Sequence, residues 1–186
     1  NFIVPMESIE GININDSRWI SAYKKLTEFK GKHWGLQFLK PVEVRACVFF
    51  NKDLIKASGI KEDLYQLVRD KKWTFDKFGE ICLKVAKDTN NDGVNDIWGM
   101  HMVHPLDNIH YFLQANNGAL VKVNSKGKVE ESFTSKEAVN TLTYLHKWAQ
   151  VDKTMYMNEN YRGPDSFASL GFEDSINLFT TGKVAF

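Results

Sequence analysis

The segment Asp88-Thr89-Asn90-Asn91-Asp92-Gly93-Val94-Asn95-Asp96 places oxygen-bearing side chains at alternate positions. Counted from Asp88, loop positions 1, 3, 5 and 9 carry oxygen and position 6 is glycine, as in the first three quarters of an EF-hand calcium loop. Asp88, Asn90, Asp92 and Asp96 would turn their oxygens inward, Gly93 would permit the sharp turn, and Val94 would offer its carbonyl. Calcium favours such hard oxygen ligands, six to eight of them. Position 12 is Gly99, where an EF-hand has a bidentate Glu, and the flanks read as helix then strand. A polar turn built from good turn formers accounts for the same residues. Two readings therefore stand, a plain turn or a weak structural calcium site, and the pattern does not suit a calcium sensor.

His101, His104 and His110, with Asp107 between them, are the other metal-like set. Pro105 and the strand pattern before it break the helical alignment that would make the three histidines converge, so a tetrahedral zinc site is not expected. The sequence holds no Gly-x-Ser-x-Gly, no His-Glu-x-x-His, no phosphate-binding glycine loop and no dinucleotide fingerprint. A glycosidase needs only two carboxylates about 5–10 Å apart. With 23 acidic residues that alternative stays open. Cys47 and Cys82 both sit in apolar runs and read as buried free thiols, with a disulfide between them the alternative.

The 24 basic and 23 acidic side chains nearly cancel, and no basic block is present. A binder of nucleic acid or of a membrane surface would show one. No apolar run approaches the ~18 residues of a membrane span. The opening Asn1-Phe2-Ile3-Val4-Pro5 lacks the basic and apolar regions of a signal peptide. The abrupt start, and a last apolar run that breaks off at Phe186, suggest a piece of a longer protein.

These residues need elements to position them, and the chain reads as helices alternating with short strands. Asp16-Ser17 can cap a helix with Trp19, Ala22, Tyr23, Leu26 and Phe29 on one face, ended by Gly31. Residues 34–38 and 44–50 read as strands, and Asp53 to Ser58 as a short helix closed by Gly59. Thr74 caps a longer helix that buries Phe75, Phe78, Ile81, Cys82 and Val85. Residues 97–103 read as a strand, and Ile109, Phe112 and Leu113 mark a helix ending near Asn117-Gly118. A hairpin over 120–133 turns at 124–127. Thr134 and Glu137 have capping-box spacing for a helix burying Ala138, Leu142, Leu145 and Trp148. A long loop spans 152–171, a last helix 173–179, and 184–186 begins a strand.

Four segments in order resemble one family, the family 1 extracellular solute-binding proteins, the group that includes maltose-binding protein. They are Gly31-Lys32-His33-Trp34-Gly35-Leu36, Val48-Phe49-Phe50-Asn51-Lys52-Asp53-Leu54, Lys72-Trp73-Thr74-Phe75-Asp76-Lys77-Phe78, and Leu178-Phe179-Thr180-Thr181-Gly182-Lys183-Val184-Ala185-Phe186. The third is followed by the Asp88 loop and Trp98-Gly99-Met100. Phe50 replaces the usual Tyr, no Pro precedes Trp73, and Phe186 stands where Met is common.

The resemblance implies an α/β, periplasmic-binding-protein-like type II fold, in which a solute is clamped between two lobes. Residues 1–45 would be the end of a first-lobe segment approaching the hinge, and 46–186 most of the second lobe. It implies a non-enzymatic binder that captures a carbohydrate or similar polar solute outside the cell. The solute would pass to the membrane permease of an ABC importer, and the protein would be tethered as a lipoprotein. A monomer, no nucleic acid and no required cofactor are expected, and some members resemble the calcium case. The loop after the strand at 97–103 would open onto the cleft, making His104, Asp107, Asn108, His110 and Tyr111 candidate solute contacts. Glu43 and Arg45 flank the crossover and could bond solute hydroxyls or form a hinge ion pair. Tyr156, Tyr161, Arg162 and Asp165 lie in the long loop, where binding residues collect. A glycosidase domain and a protein-interaction lobe are the competing functions.

Overall fold

The computed structural model describes residues 3–38, 47–102, 105–157 and 172–186, with the main chain alone for 105–107 and 172. Two compact units divide the chain, Asn1–Cys47 and Val48–Phe186. Among the described residues no helix is long and apolar enough to cross a membrane.

In the first unit, α1 (Ser21–Thr27) begins later than its capping pattern suggests. The Asp16 carboxylate accepts from the Arg18 main-chain N–H at 2.9 Å and from its guanidinium at 2.7 to 3.0 Å, closing a local turn instead of capping a helix. Trp19 is held outside the helix, bridged to Phe38 with their rings 4.5 Å apart. The expected apolar stripe is not buried, since Leu26 is 81% and Phe29 62% exposed. Instead β1 (Glu28–Phe29) and β2 (Lys32–His33) form an antiparallel hairpin. Lys30 and Gly31 turn it with φ of 52° and 70°, the left-handed pair that a two-residue hairpin needs. Of the strand expected at 34–38, only Phe38 pairs.

The second unit contains the core. The Asn51 side chain accepts from the N–H groups of Asp53 and Leu54 and starts α2 (Lys52–Ala57). Asp63 does the same for α3 (Leu64–Arg69). Its single buried residue, Leu64, is too short a stripe to show periodicity. Thr74 accepts from the Lys77 N–H and starts α4 (Phe75–Val85), which buries Phe78, Ile81, Cys82 and Val85 as its spacing requires. Burial pushes the Cys82 thiol far up, whereas Cys47, expected buried, is exposed; both are free.

β3 (Met100–His101) pairs in parallel with β6 (Met155–Tyr156), and Trp98 pairs in parallel with Val184. The strand at 97–101 is thus central, with the run ending at Phe186 on one side and β6 on the other. Tyr156, expected in a long loop, belongs to this sheet. Asn51 extends the arrangement by donating its N–H to the Ala185 carbonyl at 2.8 Å. α5 (Pro105–Ala115) follows β3 closely. β4 (Val121–Val123) and β5 (Val129–Glu131) make the expected hairpin. α6 (Lys136–His146) is capped by Ser135, one residue after the Thr134 of the capping-box reading. Thr134 donates its hydroxyl to Glu131 instead. On α6 the buried positions are Ala138, as expected, and Thr141, whose hydroxyl donates to the Glu137 carbonyl and accepts from Asn116 at 2.8 and 3.1 Å. Leu142, expected inside, is 38% exposed. A π-helical stretch, Lys147–Val151, carries the fully buried Trp148, and α7 (Phe172–Thr180) leads back into the sheet.

Trp148 organises the core. Its ring centroid lies 5.6 Å from Phe75, 5.2 Å from Phe78 and 5.7 Å from Tyr144, within the range of favourable aromatic pairing. Two glycines admit this packing. A Cβ at Gly79 would sit 2.6 Å from Trp148 Nε1, and one at Gly99 would sit 2.5 Å from Cys82 Cβ and 2.7 Å from its Cα. The second clash is with backbone and cannot be relieved by a rotamer. Gly99→Ala is expected to cost about 3 kcal/mol or more, against less than about 1 kcal/mol for the part-exposed Leu142→Ala, measured by urea unfolding. Equal losses at the two positions would contradict this packing.

Candidate functional site

In an open parallel sheet, ligands lie beyond the carboxyl ends of the strands, where the connecting loops diverge. That edge is formed by the ends of β3 and β6. Gly99 and Met100 both donate their N–H to the Thr154 carbonyl, at 2.9 and 3.1 Å. Two residues opposing one is a bulge-like irregularity that re-aims side chains. It accounts for Trp98 and His101, three residues apart, both packing against the Tyr156 ring. Their centroids lie 5.5 and 5.6 Å from it, in edge-to-face geometry.

His101 Nε2 lies 2.9 Å from Ser175 Oγ on α7, and its Nδ1 is buried with no hydrogen-bond partner. Burial lowers the His101 imidazole below its ordinary value, with the Tyr156 main chain opposing the shift. The sequence reading considered His101 only as a metal ligand and missed Ser175 altogether. Ser175 lies 74 residues from His101 along the chain, and no local pattern signals such a contact.

α5 starts just past the carboxyl end of β3, so Asn108, His110 and Tyr111 fall within its first two turns. All three are half-buried, and the His110 and Tyr111 rings stack with centroids 3.9 Å apart. Connectivity thus puts these three at the same edge as Tyr156 and His101. Glu43, Arg45, His104, Tyr161, Arg162 and Asp165 lie outside the described residues, as does the side chain of Asp107.

The loop at 88–96 lies before the other end of the same strand, closed by an antiparallel bridge between Lys87 and Ile97. Its oxygens are engaged with its own donors. Asp88 accepts from the N–H groups of Asn91 and Gly93 at 2.7 and 2.8 Å. Asn90 accepts from Asp92, and Asp92 from Val94. The Asp96 carboxylate accepts from the Thr89 hydroxyl and N–H, which lower its pKa. Asn91 and Gly93 take φ of 63° and 88°, making the sharp turn. Among the described residues no three His, Cys, Asp or Glu side chains gather as a metal-holding group.

Chemically, the carboxyl edge offers aromatic faces, ring nitrogens and an amide, which can hold a polar solute. No curated protein matches the sequence. Two solved structures are similar in fold. One is the ABC substrate-binding protein Lmo0181 from Listeria monocytogenes in complex with cycloalternan, with a TM-score of 0.57 and 17% identity over 98% of this chain and 41% of its own. The other is the GacH receptor of Streptomyces glaucescens GLA.O, solved unliganded and with acarbose, with a TM-score of 0.52 and 16% identity over 98% and 39% of the respective chains. The chain therefore spans about two fifths of the length of each. The fold is the α/β, periplasmic-binding-protein-like one. Residues 16–186 match the family described as Bacterial extracellular solute-binding protein, and the chain belongs to that family.

Proposed function

We propose that this chain is the greater part of one lobe of a protein that captures a carbohydrate or similar polar solute outside the cell. The solute is handed unchanged to the permease of an ABC importer. Family membership over residues 16–186 carries this reading. The edge-to-face group of Trp98, Tyr156 and His101 at the carboxyl edge supports it. Aromatic faces pack on the C–H faces of a sugar ring, while polar neighbours take its hydroxyls. The Lmo0181 and GacH structures were solved with a bound compound, cycloalternan in one and acarbose in the other. Asn108, His110, Tyr111 and Tyr156 are the proposed contacts on this lobe, joined by His104 and Asp107. Glu43 and Arg45 would contribute from the hinge approach. A monomer tethered outside the cell as a lipoprotein completes the proposal.

Binding without turnover separates capture from hydrolysis. Calorimetric titration of the full-length protein with mono- and oligosaccharides should show one class binding and being recovered intact. Tyr111→Ala should weaken that binding roughly tenfold, about 1.4 kcal/mol. Turnover of the sugar would replace this reading with the glycosidase one.

The loop at 88–96 is proposed as a turn closed on its own donors that takes calcium only weakly. Asp88, Asn90, Asp92, Asp96 and the Val94 carbonyl would be its ligands, with affinity in the 10⁻⁴–10⁻³ M range, on the order of that in extracellular calcium modules. Chelation should leave the melting temperature unchanged, and calcium at about 10 mM should raise it slightly in wild type and not in Asp88→Ala. A rise at micromolar calcium would contradict the self-closed turn.

A further inference from the structure

We propose that the contact between His101 and Ser175 is a pH-sensitive tie between β3 and α7, intact with a neutral imidazole and loosened when the ring takes a second proton. The inference goes beyond solute capture and needs no ligand to be tested.

A neutral imidazole has one N–H and one bare nitrogen. If the Ser175 hydroxyl donates to Nε2, the ring proton is on Nδ1; if Ser175 accepts, Nδ1 is bare. One partnerless ring nitrogen is tolerated in either case. Protonation changes this. Both nitrogens then carry hydrogen, Ser175 must accept, and the charged N–H at Nδ1 is buried without a formed hydrogen bond, eased only in part by the Tyr156 main chain. An unmade hydrogen bond to a charged, buried group is costly.

The surroundings offer little to stabilise the charge. From β6 come the Tyr156 ring, 5.6 Å away, and the Tyr156 main chain, whose favourable effect on the charged ring is smaller than the cost of burial. From α7 comes the buried, neutral Ser175; Asp174 and Glu173 beside it are exposed, and Asp174 has an interaction of its own. The adjacent strand brings Val184, Ala185 and Phe186, all buried and apolar. On α5, His110 stacks on Tyr111. His104 and the Asp107 side chain lie outside the described residues.

The direction of the effect follows from linkage. Burial lowers His101 below its ordinary 6.5, so on acidification the unfolded chain takes the proton before the folded one does. The stability is whole above about 6.5 and is lost as pH falls from there through the lowered folded value. Because the charge strains one contact, the loss should first appear as opening of α7 away from β3.

Histidine-selective NMR of the wild-type protein should place the His101 midpoint below 6.5. Between about pH 7.5 and about pH 5, α7 amides should lose protection relative to those of α4 after correction for intrinsic exchange. In His101→Gln, whose amide can still bond Ser175 but does not titrate, that acid-dependent loss should vanish. A midpoint at or above the ordinary value would overturn the proposal, as would the same acid-dependent opening in His101→Gln. Should that variant not fold, the wild-type data decide: α7 protection that falls with the His101 midpoint supports the tie, and α7 protection unchanged through that midpoint overturns it.

Discussion

The central strand lies against α4 at a separation that leaves no room for a side chain at position 99. A Cβ there would come within 2.8 Å of the Cys82 carbonyl and closer still to its Cα and Cβ. This near contact of two main chains fixes the distance between helix layer and sheet, and the rest of the second unit depends on it. Gly79 repeats the device one turn earlier on α4, where the indole of Trp148 occupies the space a methyl would need. Tight packing of this sort transmits position, because a close-packed interior does not deform smoothly. The ends of the strands, and whatever binds there, are therefore set by contacts well inside the domain.

The carboxyl edge inherits this precision through a local irregularity. A regular strand would send Trp98 and His101 to opposite faces. The shared Thr154 acceptor disturbs that alternation, and both rings meet Tyr156. The result is an edge-to-face aromatic cluster around Tyr156. The acidic loop belongs to the opposite end of the strand and satisfies its own oxygens. It reads as a scaffold turn whose chemistry is separate from solute contact.

Some of this was legible in the sequence for physical reasons. α4 has an apolar stripe long enough to show its period, and the hairpin at 121–131 has an unambiguous turn. The family segments span nearly the whole chain, so fold and class could be read from them. Other features depend on partners distant in sequence. The stripe beginning at Trp19 has helical spacing, yet Trp19 pairs with Phe38 and Leu26 faces solvent. α3 is too short to show a period. Thr141 is buried because Asn116 and the Glu137 carbonyl satisfy its hydroxyl, and a hydrophobicity pattern favours Leu142 instead. Tyr156 looked like part of a polar loop because a two-residue strand leaves no alternation to detect. The His101–Ser175 pair is invisible for the same reason of distance, whereas Asn108, His110 and Tyr111 were reachable through the family resemblance alone.

Solute capture at the carboxyl edge is the central claim, and a crystal structure of the full-length protein grown with an oligosaccharide tests it most directly. The account predicts an intact sugar whose ring packs on an aromatic face at the ends of β3 and β6, with Tyr156 or Tyr111 in contact. A sugar bound elsewhere on the lobe, or a cleaved product held between two carboxylates, would contradict it.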